Sequence, residues 1–156
     1  MAAKKKPVKT KTSSPAAKCP KSQIKTIGVL TGGGDCPGLN AVVRAVTKTA
    51  INKYGLSVMG IQDGFLGLIE KRMNLLRPED VSNILTQGGT ILGTSNKANP
   101  SKFPMFFNGQ KQITDVRDNC IYNAREMGLD AIVCIGGDGT MSGAASLAEK
   151  GLPFIG

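Results

Sequence analysis

The chain has 156 residues, 40% of them apolar, with 20 glycines, 20 basic against 11 acidic side chains, four cysteines and neither histidine nor tryptophan. That is the size and make-up of one water-soluble domain at most. The lack of histidine excludes Ser-His-Asp and Cys-His catalysis and every histidine-ligated metal site, whereas phosphoryl transfer, which needs positioning, a metal and a carboxylate, passes that filter.

The net charge of +9 is not spread evenly. Residues 1–25 hold eight lysines and no acid, so from Thr26 onward 12 basic residues face 11 acidic ones. A nucleic-acid-binding body carries a clustered basic face or an aromatic stacking surface, and this one shows neither, so nucleic acid is not an expected partner. The Lys, Pro, Ala and Ser of residues 1–25 read as a disordered solubilising tail. No apolar run approaches the roughly 20 residues of a membrane span, and no apolar segment follows the charged start as a secretory signal requires. Cys19, Cys36, Cys120 and Cys134 form no C-x-x-C pair, which points to free thiols and a cytoplasmic setting. Cys134 reads as a small core residue, and Cys36, in a glycine-rich loop, as an exposed one.

The first element after the tail is a short apolar strand at 27–30, ending at Thr31-Gly32-Gly33-Gly34-Asp35. A helix starts near Leu39, with Ala41, Val42, Ala45, Val46, Thr49 and Ala50 at spacings of three and four, and stops at Tyr54-Gly55. A second strand is expected over 57–62, then a loop at 63–67. Pro78-Glu79-Asp80 reads as a first helical turn with Val81, Ile84 and Leu85 on its apolar face, followed by a short strand at 90–92. Residues 94–110 show no sustained period and read as a long surface loop. A helix over 113–127 leads to a strand at 131–135, then Gly136-Gly137-Asp138-Gly139-Thr140, a helix over most of 141–149 and a strand at 152–155. The runs IGVL, AIVCI and LPFI are apolar throughout, as in strands covered on both faces. The fold class is therefore α/β: an open, mostly parallel, Rossmann-like sheet with helices on both faces, incomplete at its C-terminus.

Ligands of such sheets bind at the carboxyl ends of the strands, so both glycine-rich loops should face one crevice. A glycine turn between strand and helix lets backbone N–H groups approach phosphate oxygens. Each loop also holds an aspartate, Asp35 or Asp138, which would repel a bare phosphate but could meet it through Mg²⁺. Neither loop is a GxxxxGK[ST] P-loop or a complete GxGxxG turn. The string GGDGT is the more specific of the two, with a chance occurrence in a chain this long on the order of 10⁻⁴.

IGVLTGGGDCPGLNAVVRAV from Ile27, VMGIQDGFLGL from Val58, GGTILGTS from Gly88 and AIVCIGGDGT from Ala131 stand in the order and spacing found in the phosphofructokinases, and the chain resembles that family over nearly everything after the tail. The resemblance implies transfer of a phosphoryl group from ATP, or from pyrophosphate in some members, to the 1-hydroxyl of fructose 6-phosphate with Mg²⁺, a step of glycolysis. Carried over by position, it places Gly34 at the nucleotide, Gly137, Asp138, Gly139 and Thr140 along the donor phosphates, and Asp138 at the metal. Gly139 looks like the ATP-using branch, because pyrophosphate-dependent members usually carry aspartate there. Phe65 falls at an aromatic position near the nucleotide, with a core role as the alternative. Arg44 and Lys48 match a pair that binds phosphorylated effectors in regulated members, with a solvated helix face as the alternative; Lys48 lacks the guanidinium fork of the usual arginine. After GTS many members have arginine where this chain has Asn96, with Lys97 next, and lysine offers a point charge in place of a planar fork.

The resemblance also implies a general-base aspartate and most sugar-phosphate contacts beyond Gly156, and homo-oligomerisation of a complete enzyme. Residues 26–156 are thus expected to be a truncated N-terminal nucleotide-binding domain, inactive alone. Two other readings are a non-catalytic nucleotide-binding or subunit-associating module, and a kinase of the NAD, diacylglycerol or sphingosine type that shares GGDGT without the upstream GGGDCPGLN block.

Overall fold

The computed structural model describes residues 24–156 except Asn108. The tail expected over 1–25 and Cys19 lie outside the described residues, apart from positions 24 and 25. Lys25 already belongs to the fold: its N–H and that of Thr26 donate to one Asp130 carboxylate oxygen at 2.7 and 2.9 Å.

The central strand, β1 (Thr26–Thr31), is apolar between its two terminal threonines and buried along nearly its whole length. It pairs in parallel with β2 (Ser57–Ile61) on one side and with β6 (Ala131–Ile135) on the other. β6 pairs in parallel with β7 (Phe154–Ile155), and β2 pairs antiparallel with the short edge strand β3 (Met73–Leu75). The sheet order is β3-β2-β1-β6-β7. Between these strands run helices α1 (Leu39–Tyr54), α2 (Phe65–Glu70), α3 (Arg117–Glu126) and α4 (Asp138–Ala148), and a separate hairpin joins β4 (Phe103–Phe107) to β5 (Gln110–Thr114).

Each face of the sheet covers its own apolar cluster. Val43 and Ala50 of α1 pack with Val29, Val58, Leu76, Val81, Ile84 and Leu92. On the opposite side Phe65 and Leu68 of α2, Cys120, Ile121 and Ala124 of α3, and Ala144 and Leu147 of α4 pack with Leu30, Ile61 and Ile132. Burial on both faces is why the strands read as unbroken apolar runs, and the open parallel α/β expectation holds, with β3 as an antiparallel edge.

Four local expectations are corrected. Residues 63–67 are not all loop: Asp63 and Gly64, both at positive φ, turn the chain directly into α2. Glycine is needed at position 67 of this helix, because a Cβ there would collide with the Gln62 carbonyl. The segment after Pro78 forms successive turns rather than a helix. Asp80 and Ser82 N–H groups reach back only three residues, to Arg77 and Glu79, and Asn83 adopts φ 61°, which ends any helical run. Val81 and Ile84 are nevertheless buried, so the apolar spacing served packing without a helix. Residues 90–92 form turns, not a strand.

Finally, residues 103–114, expected to be part loop and part helix, are the β4–β5 hairpin, with Phe103 opposite Thr114 and Phe107 opposite Gln110. The following helix therefore starts at Arg117, after Asp115 has accepted the Arg117 N–H at 3.0 Å.

Candidate functional site

The turn after β1 and the turn after β6 are laced together at the carboxyl ends of the two neighbouring strands. The Gly32 N–H donates to the Ile135 carbonyl at 2.9 Å. Thr140, 5% exposed, wedges between the turns: a Cβ on Gly32 would stand 2.6 Å from the Thr140 hydroxyl oxygen, and one on Gly136 would stand 2.5 Å from it. Real Cβ atoms do not approach so closely, so glycine at both positions is what lets the turns meet.

A third segment closes the site. The Thr31 hydroxyl stands 2.9 Å from that of Thr90 and donates to the Gly93 carbonyl at 2.7 Å, and the Thr94 hydroxyl donates to the Gly33 carbonyl at 2.6 Å. Asp63 contributes its N–H to the Leu92 carbonyl at 2.8 Å. Asn40, on the first turn of α1 and 2% exposed, donates from Nδ2 to the carbonyls of Gln87 and Gly88 and accepts the Ile91 N–H on Oδ1.

These three segments border a half-open cavity of about 290 Å³. Gly34, Asn96, Gly137, Asp138, Gly139 and Thr140 line it together with Gly33, Phe65, Ser95, Ala98, Asn99, Pro100 and Gly143. Of the nucleotide-binding residues read from the sequence, only Lys97 is not among the lining residues; it is exposed beside Asn96. Thr140 borders the cavity yet is held chiefly in the wedge between the two turns. Phe65 fills both roles weighed for it: it belongs to the core and lines the cavity. Asp35 does not line the cavity, and its carboxylate lies 3.6 Å from where a Cβ of Gly89 would stand. Arg44 and Lys48 lie on α1 away from the cavity, both half-buried, and the Arg44 Nε has no hydrogen-bond partner among the described residues.

Among the described residues that line the cavity, Asp138 is the sole ionisable side chain. It stands at the first position of α4, where the N–H groups of Asp138, Gly139 and Thr140 have no helical acceptor. Among the described residues the cavity thus offers backbone donors and a helix N-terminal field to an anion, with one carboxylate beside them and no cationic side chain. A cation between a polyphosphate and Asp138 would turn their repulsion into attraction. Mg²⁺ suits that place, since it commonly binds through one or two carboxylates, phosphate oxygens and retained waters. No cluster of three or more acidic, Cys or His side chains exists among the described residues that would cage a metal without a ligand's help.

A second cavity, about 330 Å³, lies between β2, β3 and residues 91–92, with Gln62, Asn74 and Asp80 as its polar groups. Neither glycine-rich turn reaches it.

Fold and cavity together define the class: an open α/β domain with a polar, glycine-walled crevice at the carboxyl ends of its central strands. The phosphofructokinase family model matches residues 26–156, and the chain belongs to that family. Its relatives include ATP-dependent 6-phosphofructokinase 2 of Clostridium perfringens, 49% identical over 134 residues that make up 85% of this chain and 37% of the relative. The ATP-dependent 6-phosphofructokinase of Edwardsiella ictaluri is 48% identical over 133 residues, 85% of this chain and 38% of the relative. The chain therefore spans less than two fifths of the length of these relatives. Among solved structures, Pichia pastoris phosphofructokinase in the T-state matches 88% of this chain and 14% of its own with a TM-score of 0.69 and 32% identity. A pyrophosphate-dependent phosphofructokinase from Marinobacter aquaeolei shares the fold at a TM-score of 0.64 and 15% identity.

Proposed function

We propose that this chain is the donor-binding portion of an ATP-dependent 6-phosphofructokinase, in which the γ-phosphoryl group of ATP passes to the 1-hydroxyl of fructose 6-phosphate. The observation that carries the reading is the convergence of the two glycine-rich turns on one cavity whose single charge among the described residues is Asp138 at the start of α4. The N–H groups at the start of α4 and the Gly33-Gly34 backbone would hold the phosphates, and the apolar wall of Phe65, Ala98 and Pro100 suits a flat base. Asp138 would hold Mg²⁺, which neutralises charge on the transferring group.

Gly139 supports the choice of ATP. A Cβ there would meet nothing within 4 Å, so glycine leaves this edge of the cavity open. An aspartate would instead extend a second negative charge from this position beside the phosphates. Asn96 stands where many relatives in the resemblance have arginine, so the Ser95–Asn96 wall binds through neutral polar groups.

The complete enzyme would use fructose 6-phosphate as acceptor, assemble as a homo-oligomer and work in the cytoplasm. For the chain itself, no helix among the described residues is long and apolar enough to cross a membrane. Residues 1–156 should bind Mg-ATP without turnover, because the base and the sugar site implied by the family lie after position 156. The test is paired: calorimetric titration of Mg-ATP into the purified chain, and a product assay with ATP and fructose 6-phosphate. Binding without fructose 1,6-bisphosphate is the expected result. A folded chain with no affinity for Mg-ATP overturns the donor role, and product formation overturns the inactivity of the chain alone.

A further inference from the structure

We propose that Asn40 is a positioning residue for the donor cavity, fixing through residues 87–91 the wall that residues 95–100 form. The inference rests on the donor-binding reading of that cavity. Residues between β3 and β4 form no strand or helix, so their path depends on apolar packing and on individual backbone and side-chain ties to the rest of the domain. Asn40 supplies three of these ties. Nδ2 donates to the Gln87 carbonyl at 3.1 Å and to the Gly88 carbonyl at 3.3 Å, and Oδ1 accepts the Ile91 N–H at 2.8 Å.

The side chain is buried, so its desolvation is repaid only while all three partners stay in place. Two carbonyls against one edge and an N–H against the other also fix which way the amide faces. No other residue type of this size offers two donors and an acceptor in that arrangement.

The location gives the tie its consequence. Asn40 occupies the second position of α1, directly after the loop that supplies Gly33 and Gly34 to the cavity. One wall is joined to α1 covalently, and the opposite wall is joined to the same helical turn through Asn40. Beyond 91 the Thr31–Gly93 and Thr94–Gly33 hydrogen bonds continue the seam toward Ser95 and Asn96. Asn40 itself does not line the cavity, so its effect on a ligand passes through these residues.

The test compares Asn40→Asp, Asn40→Ala and the remote core variant Ile132→Val in the 156-residue chain. Each is measured by thermal unfolding, by amide hydrogen exchange without ligand and by Mg-ATP titration well below the melting temperature. Asn40→Asp keeps an acceptor for Ile91 but turns a carboxylate oxygen toward two carbonyls. Both Asn40 variants should show faster exchange across 87–96 with β1, β6 and α3 unchanged, and affinity reduced about tenfold or more, the size of roughly one net hydrogen bond. Ile132→Val should lower the melting temperature without either effect.

Unchanged exchange across 87–96 in folded Asn40 variants overturns the proposal. So does faster exchange there with undiminished affinity, since the residue would then be structural only. A wild-type chain that binds no Mg-ATP defeats the donor reading and with it the role of Asn40 toward a donor, while the exchange comparison still shows whether Asn40 holds 87–96.

Discussion

Phe65 occupies the space in front of Gly143. A Cβ on that glycine would stand 2.7 Å from Cε2 of the ring and 3.1 Å from Cζ. The ring is buried against the core and cannot swing away freely. Gly143→Ala should therefore cost about 1–3 kcal/mol, as overpacking does, and should press the ring into the cavity it lines. Urea unfolding measures the first effect and Mg-ATP titration the second. Phe65→Leu in the Gly143→Ala background should recover part of the lost stability.

Gly139→Asp separates donor preference from stability. The new Cβ meets nothing, and an acidic side chain in the first turn of α4 suits the helix N-terminus. The melting temperature should hardly move, whereas ATP affinity should fall about tenfold or more, by at least one interaction between like charges in a partly enclosed site. Competition between ATP and pyrophosphate, measured calorimetrically, should shift toward pyrophosphate. Equal loss for both ligands would mean that this position does not discriminate between donors.

The three cysteines among the described residues differ by burial. Burial pushes Cys120 and Cys134 up to about 12 each, with the Asp115 charge adding to the effect at Cys120. Cys36 is exposed. Iodoacetamide near pH 8 should modify Cys36 quickly and leave Cys120 and Cys134 untouched until denaturant is added, since only the thiolate reacts. Peptide mass mapping with and without urea checks the order.

The legible parts of the fold were those with an unbroken apolar run or a long period. β1, α1, β2 and β6 appear within a residue or so of where the sequence placed them. α4 begins at Asp138 rather than Met141, because the glycine-rich string itself supplies the cap and the first turn. α2 is six residues long, too short to show a period, and it follows Asp63-Gly64, which reads as a turn. β4 places Met105, Phe106 and Phe107 in succession, all exposed, which hides the alternation of a strand. Turns replace the helix at Pro78 because Asn83 adopts a left-handed conformation that residue order does not announce.

The cavity was legible where glycine strings carried it, at Gly34 and 137–140. Its support was not. Asn40, Thr31 and Thr94 act through partners tens of residues away. The one available signal was Asn40 standing three and seven residues before Val43 and Thr47, a polar side chain on the buried face of α1 that had to find partners there.

Asp130 contributes to the acid limb of stability, as does Asp115, whose carboxyl Arg117 holds down at about 2. The N–H groups of Lys25 and Thr26 hold the Asp130 carboxyl below the usual carboxylate range. A depressed folded value means that the contribution is present above the unfolded value near 3.9 and disappears as pH falls through the folded one. Asp130→Asn should lower the urea midpoint at neutral pH, and the gap from wild type should close progressively below about pH 4. A gap that persists at low pH would assign the effect to something other than the charge.

The donor site is tested most directly by following backbone amide NMR signals of the 156-residue chain during titration with Mg-ATP. The account predicts saturable shifts at Gly33, Gly34, Ser95, Asn96 and 137–140, with the affinity strongly reduced in Asp138→Asn. Shifts confined to the cavity beside Gln62, Asn74 and Asp80, or no shifts in a folded chain, would contradict it.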